Sequence, residues 1–132
     1  ALLKEAYEHS EVCVKMKRII QSYKKTDKSN ERFDEEDWKQ LIAETDIRWN
    51  DITIRLAAKY PLSQDEIYLC CLHLTDIPTS HFRYLMECSR DAIYKKGKRI
   101  LEQKMKCTDK SISLREFLEQ FTFLHFLYTF IG

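Results

Sequence analysis

Apolar side chains recur along this chain at three- and four-residue intervals, the period of helices that bury one face. Between residues 2 and 22, Leu3, Tyr7, Val14, Ile19 and Ile20 stand among charged neighbours and predict one amphipathic helix. Residues 24–30 (KKTDKSN) have no period and read as a loop. Asp34 precedes three acids, Glu35, Glu36 and Asp37, which suit the positive end of a helix dipole. A helix is therefore predicted from there to about Thr45, with Trp38, Leu41 and Ile42 on one face. Another is predicted from about Asp46 to Lys59, carrying Trp49, Ile52 and Leu56. Tyr60-Pro61 ends it, because the residue before a proline is pushed out of the α region.

Cap signals punctuate the second half. Ser63 with Glu66 has the spacing of a capping box and opens a helix through Leu74. Residues 76–78 form a turn, after which Thr79 is expected to cap a short helix through about Met86. Residues 87–89 turn again, and Ser89 caps a long helix from Arg90 to about Lys106. Residues 107–110 break the pattern, and Ser113 with Glu116 forms a second capping box that starts the last helix. The prediction is an all-α bundle of six or seven helices. It divides into an amphipathic N-terminal segment (1–33), a central domain (34–120) and an aromatic tail (121–132). The N-terminal helix either packs on the domain or continues an upstream coiled coil.

Composition agrees with this pattern. With 132 residues, 44% of them apolar, the chain can bury the core of one ordinary domain. Only 2 Gly and 2 Pro are present, which argues against a turn-dense β-sandwich or barrel and against the usual glycine-rich phosphate cradle. The run from Phe121 to Ile131 falls short of the roughly 20 residues that span a bilayer. It is expected to be packing core or a dimer face. The opening ALLKE has neither the basic nor the apolar region of a secretory signal, and its start at Ala suggests a piece of a longer protein. The 5 Cys form no C-x-x-C pair and read as small buried hydrophobes of a reducing cytoplasm. The 4 His have no metal-ligand spacing, and His73 reads as core. No nucleophile–base–acid order stands out, so no cofactor, no metal and no enzymatic activity are expected.

Charge changes the picture only when it is divided along the chain. The whole chain carries +1, a balance that by itself argues against nucleic acid. Residues 1–62 are neutral and residues 63–89 carry −3. Residues 90–106, however, hold Arg90, Lys95, Lys96, Lys98, Arg99, Lys104 and Lys106 against Asp91 and Glu102, a net +5. The positive charge sits on the third helix of a compact series, the proportions of a helix-turn-helix whose last helix enters the major groove. Leu69, Leu72, Phe82, Leu85, Ile93 and Ile100 would supply its small core.

Residues 62–71 (LSQDEIYLCC) and 89–100 (SRDAIYKKGKRI) resemble the LuxR-type helix-turn-helix output domain. They are most similar to a bacterial branch that places this domain after tetratricopeptide repeats, a membrane helix and a coiled coil. EEDW at 35–38, Leu56 with Tyr60-Pro61, and ISLREFL at 112–118 extend the resemblance over roughly residues 34–120. The promoter-reading domain of sigma factors (region 4) shares the motif. The resemblance implies a DNA-binding transcription regulator acting in the cytoplasm, alone or as the cytoplasmic part of a membrane-tethered chain. It implies Arg90, Asp91, Tyr94, Lys95 and Lys98 on the groove-facing side, Thr79, Ser80, Lys96 and Arg99 at phosphates, and Ala92, Ile93 and Ile100 in the core. Arg90 or Lys95 would read guanine, whose O6 and N7 accept a bidentate donor pair. Double-stranded DNA, a second copy of the chain, RNA polymerase and an upstream sensor region are the implied partners, with no membrane contact by this segment. The turn departs from the family pattern, with Asp76 for Gly, Pro78-Thr79-Ser80-His81 for Ser-Asn-Lys-Glu, and Arg83 for a small residue. Asp tolerates left-handed backbone well, so Asp76 is expected to carry the turn. The alternative function is a helix-turn-helix kept as a protein-interaction module, its basic helix facing an acidic partner.

Overall fold

In the computed structural model every regular element is helical; it describes residues 2–131, with side-chain surroundings through 125 and at Leu127. The first predicted helix is two: α1 (Leu2–Glu8) and α2 (Glu11–Thr26). Ser10 causes the break. Its hydroxyl donates to the Tyr7 carbonyl at 2.6 Å, closing α1, and accepts from the Cys13 amide at 3.3 Å, opening α2. The new direction buries Val12, Cys13, Met16, Ile19 and Ile20, while Val14 remains exposed. α2 also runs beyond Ser22 through Lys24, Lys25 and Thr26, and Asp27 closes it in the left-handed region at φ 60°.

α3 (Glu35–Arg48) starts where expected, with a reciprocal capping box between Asp34 and Asp37. It ends three residues late, and α4 (Ile52–Lys59) begins only after Asn50 and Asp51, both at positive φ. Asp46, expected to begin α4, instead caps it from the last turn of α3. Its carboxylate accepts from the Thr53 amide at 2.8 Å and the Thr53 hydroxyl at 2.6 Å. Trp38 is a core anchor, stacked on Tyr68 at 4.4 Å with the edge of Phe33 at 4.7 Å. Trp49 is half-buried at the α3–α4 corner.

The second half follows its caps: α5 (Gln64–His73), a 3₁₀ turn (Thr79–His81), α6 (Phe82–Met86), α7 (Arg90–Arg99), a π turn (Ile100–Lys104) and α8 (Leu114–Ile131). Thr79 does not cap α6; Pro78 precedes the 3₁₀ turn and no side chain caps it. The π turn has a packing reason. Ile93 and Ile100 lie on the buried line of α7, and an α-helix would bring Lys104 next onto that line. The wider turn, with the Met105 amide bonding the Ile100 carbonyl at 2.9 Å, buries Met105 instead and leaves Lys104 half-buried beside Glu66.

α8 continues through the aromatic run as one helix. Leu114 and Leu118 are in the core, Phe121 is half-buried, and Phe123 and Leu124 are exposed. The side chains of 126 and 128–131, on which much of the core-or-dimer expectation for the tail rests, lie outside the described residues. All eight helices contribute to one buried cluster, which includes Leu69, Leu72, Phe82 and Leu85 and which α7 and α8 join through Ile93, Leu114 and Leu118. Among the described residues no helix is long and apolar enough to cross a membrane.

Candidate nucleic-acid interface

The series α5, α6, α7 begins at Ser63. The Ser63 amide donates to Glu66 Oε1 at 2.8 Å, and the Glu66 amide donates to Ser63 Oγ at 3.3 Å, which fixes the start of α5. The turn that follows is not left-handed at Asp76; the described residues with positive φ are Asp27, Asn50, Asp51, Glu87 and Lys106. The chain turns by another device. The last carbonyls of α5 are taken by two arginines from outside the series, Arg48 on Leu74 at 3.1 Å and Arg115 on His73 at 3.2 Å and Thr75 at 2.5 Å. Inside the turn, the Thr75 hydroxyl donates to the Leu72 carbonyl at 2.6 Å and accepts from the Ile77 amide at 3.2 Å. Side-chain donors thus satisfy carbonyls that a left-handed cap would otherwise serve.

Left-handed geometry appears one turn later, at Glu87 (φ 54°), which closes α6. Arg32 holds the Glu87 carboxylate with two bonds of 3.1 and 2.8 Å. Ser89 then caps α7, its Oγ accepting from the Ala92 amide at 3.0 Å.

The expected groove-facing residues divide cleanly by exposure. Arg90, Asp91, Tyr94, Lys95 and Lys98 are all exposed, Tyr94 by 68%. Arg90, Tyr94 and Lys98 repeat at four-residue spacing and share a face. Lys95 pairs along the helix with Asp91 at 3.0 Å. Among the described residues Arg90 and Lys98 have no acidic partner. Ile93 and Ile100 are buried as expected, whereas Ala92 is exposed. Ala92 follows the buried line by one step of about 100°, and its single methyl carries no pattern strong enough to show this.

The expected phosphate contacts are less uniform. Thr79 is exposed and Ser80 half-buried at the start of the 3₁₀ turn. Lys96 and Arg99 lean back toward α5, Lys96 at 3.8 Å from Asp65 and Arg99 at 3.7 Å from Glu66. Lys104 joins them at 3.5 Å from Glu66 and also donates to the Pro61 carbonyl at 2.8 Å. Glu66 is fully buried, yet only one of its oxygens has a hydrogen-bond partner. Burial pushes its carboxyl pKa up. The Ser63 amide and hydroxyl and Lys104 outweigh that and hold it below its usual range. The capping box made Glu66 visible in the sequence as a local signal; its burial under the basic helix was not.

In front of α7 runs a groove of about 1170 Å³. Arg90, Tyr94 and Lys98 line it together with Thr79 and Ser80, and with Thr108, Asp109, Lys110, Ile112 and Ser113 from the loop before α8. His73 closes its depth, edge-on to Phe82 at 5.0 Å. Burial, with the nearby Arg115 charge, lowers the His73 pKa to about 4, as suits a core histidine. The thiols of Cys13, Cys70 and Cys71 are buried and those of Cys88 and Cys107 half-buried, all five unpaired. Among the described residues no His, Cys, Asp and Glu cluster could hold a metal ion.

Comparison of the chain with protein-family models, with curated proteins and with solved structures finds no match in any of the three.

Proposed function

We propose that this chain is the DNA-binding part of a non-enzymatic transcription regulator, with α7 in the major groove. The observation that supports it is the exposed face of α7. Arg90, Tyr94 and Lys98 are exposed on a helix packed on α5 and α6, and among the described residues neither Arg90 nor Lys98 is matched by an acid. Lysines and arginines so arranged release counterions from duplex DNA, which is sufficient electrostatic driving force. Asp91 and Lys95 belong to the same face, and Thr79 and Ser80, which line the same groove, would touch phosphate. Two copies would place their helices about 34–36 Å apart, one turn of duplex. The setting is the cytoplasm, with RNA polymerase or an upstream sensor region as further partners.

One observation favours the second reading, a protein-interaction module. Asp65 and Glu66 already draw in Lys96, Arg99 and Lys104, which leaves a smaller free charge than the sequence count of +5 suggests. Electrophoretic retardation of a generic duplex separates the two. DNA binding is expected to weaken steeply with salt and to vanish in Lys95→Glu/Lys98→Glu with the fold intact. No retardation at low salt by the folded protein rejects DNA and leaves the interaction module.

A further inference from the structure

We propose that the DNA-binding surface extends past α6 onto the last turn of α2, where Lys24, His81 and Arg83 form a second phosphate-binding flank. This inference rests on the DNA reading and adds to it a contact region that reaches from α6, within the helix-turn-helix, onto α2 outside it.

The two elements are joined by a ring stack. Tyr23 of α2 lies on Tyr84 of α6 with centroids 4.8 Å apart and planes at 13°. That stack sets the last turn of α2, with Lys24 and Lys25, beside the start of α6. The Arg83 guanidinium lies 4.8 Å over the Tyr84 ring and donates to its hydroxyl at 2.9 Å, and the His81 ring sits 6.1 Å from the same ring. Partial burial and, after it, the charges of Lys24 and Arg83 hold the His81 imidazole below its usual pKa, so all three are within electrostatic reach.

What distinguishes this cluster from the inner face of α7 is the lack of compensation. Lys96, Arg99 and Lys104 have Asp65 and Glu66. Among the described residues neither Arg83 nor Lys24 forms an ion pair, and Arg83 donates to a neutral phenol. Asp27 and Glu87 border the same hollow, but Glu87 is already held by Arg32. Lys24 and Arg83 carry like charges that Asp27 offsets only in part, and an anion relieves the repulsion that is left. The cluster is also continuous with α7, because Ser80, the chain neighbour of His81, lines the same groove as Arg90 and Lys98. A phosphate strand leaving that groove across α6 would meet His81, Arg83 and Lys24.

The test is fluorescence anisotropy of the full chain on a generic duplex over a salt series. Two variants, Lys24→Ala/Arg83→Ala and Lys24→Ala/Lys25→Ala, are compared with Lys95→Ala/Lys98→Ala; the second leaves the Tyr84 contacts untouched, and a thermal melt confirms folding. Loss of the two contacts in Lys24→Ala/Arg83→Ala should make the log–log salt slope shallower by about 2, and loss of the Lys24 contact in Lys24→Ala/Lys25→Ala by about 1. The affinity ratio of wild type to the first variant should then shrink about tenfold between about 50 and 200 mM salt. Unchanged slopes in both α2 variants, with binding lost in the α7 variant, overturn the flank and leave the DNA reading standing. Weakened binding in the α2 variants alone upholds the flank and overturns α7 as the binding helix. No binding by the wild-type chain overturns both.

Discussion

Arg115 reaches from α8 to the Thr75 carbonyl at 2.5 Å, which ties the last helix to the turn between α5 and α6. Its side chain is half-buried, and its Nε also pairs with Glu119 at 2.7 Å. Arg115→Ala should therefore lower the unfolding free energy by about 1–3 kcal/mol, the range for losing hydrogen bonds to a charged donor. Arg115→Lys should recover less than half of it, because an ammonium lacks the fork that spans the His73 and Thr75 carbonyls and Glu119 together. Urea titrations of the three proteins measure both.

Glu66 should separate fold from binding. Glu66→Ala loses the reciprocal cap and should cost about 1–2 kcal/mol. Glu66→Gln keeps an acceptor for the Ser63 amide and should cost less. The neutral amide also releases Arg99 and Lys104, so Glu66→Gln should bind duplex DNA more tightly than wild type at low salt. Tighter binding with unchanged or lower stability is the expected pair of results from anisotropy and denaturation. Weaker binding would show that Glu66 holds those cations in a productive place.

Gly97 sits inside α7 with ordinary helical backbone, and a methyl group there would meet Leu69 Cδ2 at 3.9 Å and Leu114 Cδ2 at 4.0 Å. Those are plain van der Waals distances. Gly97→Ala should stabilise the protein by about 0.5–1 kcal/mol by restricting the unfolded chain and adding contact. A rise of a few degrees in Tm checks this; a fall would mean that the α5–α7–α8 junction is already full.

His73 gives a pH dependence with a definite sign. Its pKa is about 4 in the folded chain against 6.5 for an ordinary imidazole, so the unfolded state binds the proton first as pH falls. Stability is fully present above about pH 6.5 and declines toward pH 4, by up to about 3 kcal/mol. His73→Leu should flatten that stretch of the stability curve. Carboxylates such as Glu66 titrate in both proteins, so the difference between wild type and variant isolates the histidine.

The starts of helices were legible in the sequence because a cap is a local event. Asp34, Ser63, Ser89 and Ser113 each bond a residue three positions on, and each stands where the spacing put it. Ends and breaks were less legible. Ser10 lies inside a periodic run and shows nothing unusual until its hydroxyl serves two helices at once. Asp46 looked like a helix start because Thr53, the group it caps, is seven residues away. The turn after α5 stands where the pattern puts it, but its conformation was not legible, for a deeper reason. Asp76 was assigned the left-handed geometry by its residue type, but Arg48 and Arg115, distant in sequence, do the work of that conformation. Of the candidate face, Arg90, Tyr94 and Lys98 were named by the resemblance, and their exposure agrees with their four-residue spacing. The inward lean of Lys96, Arg99 and Lys104 depended on Glu66 being buried, a property of the packed chain.

The π turn after α7 gives the helix two independent phases. Upstream of Ile100, the register is set by Ile93 against α5 and α6; downstream, it is set by Met105 leading into the loop toward α8. The additional residue takes up the mismatch between them. Substitutions on the outer face of residues 90–99 can therefore accumulate without re-threading the C-terminal third of the chain.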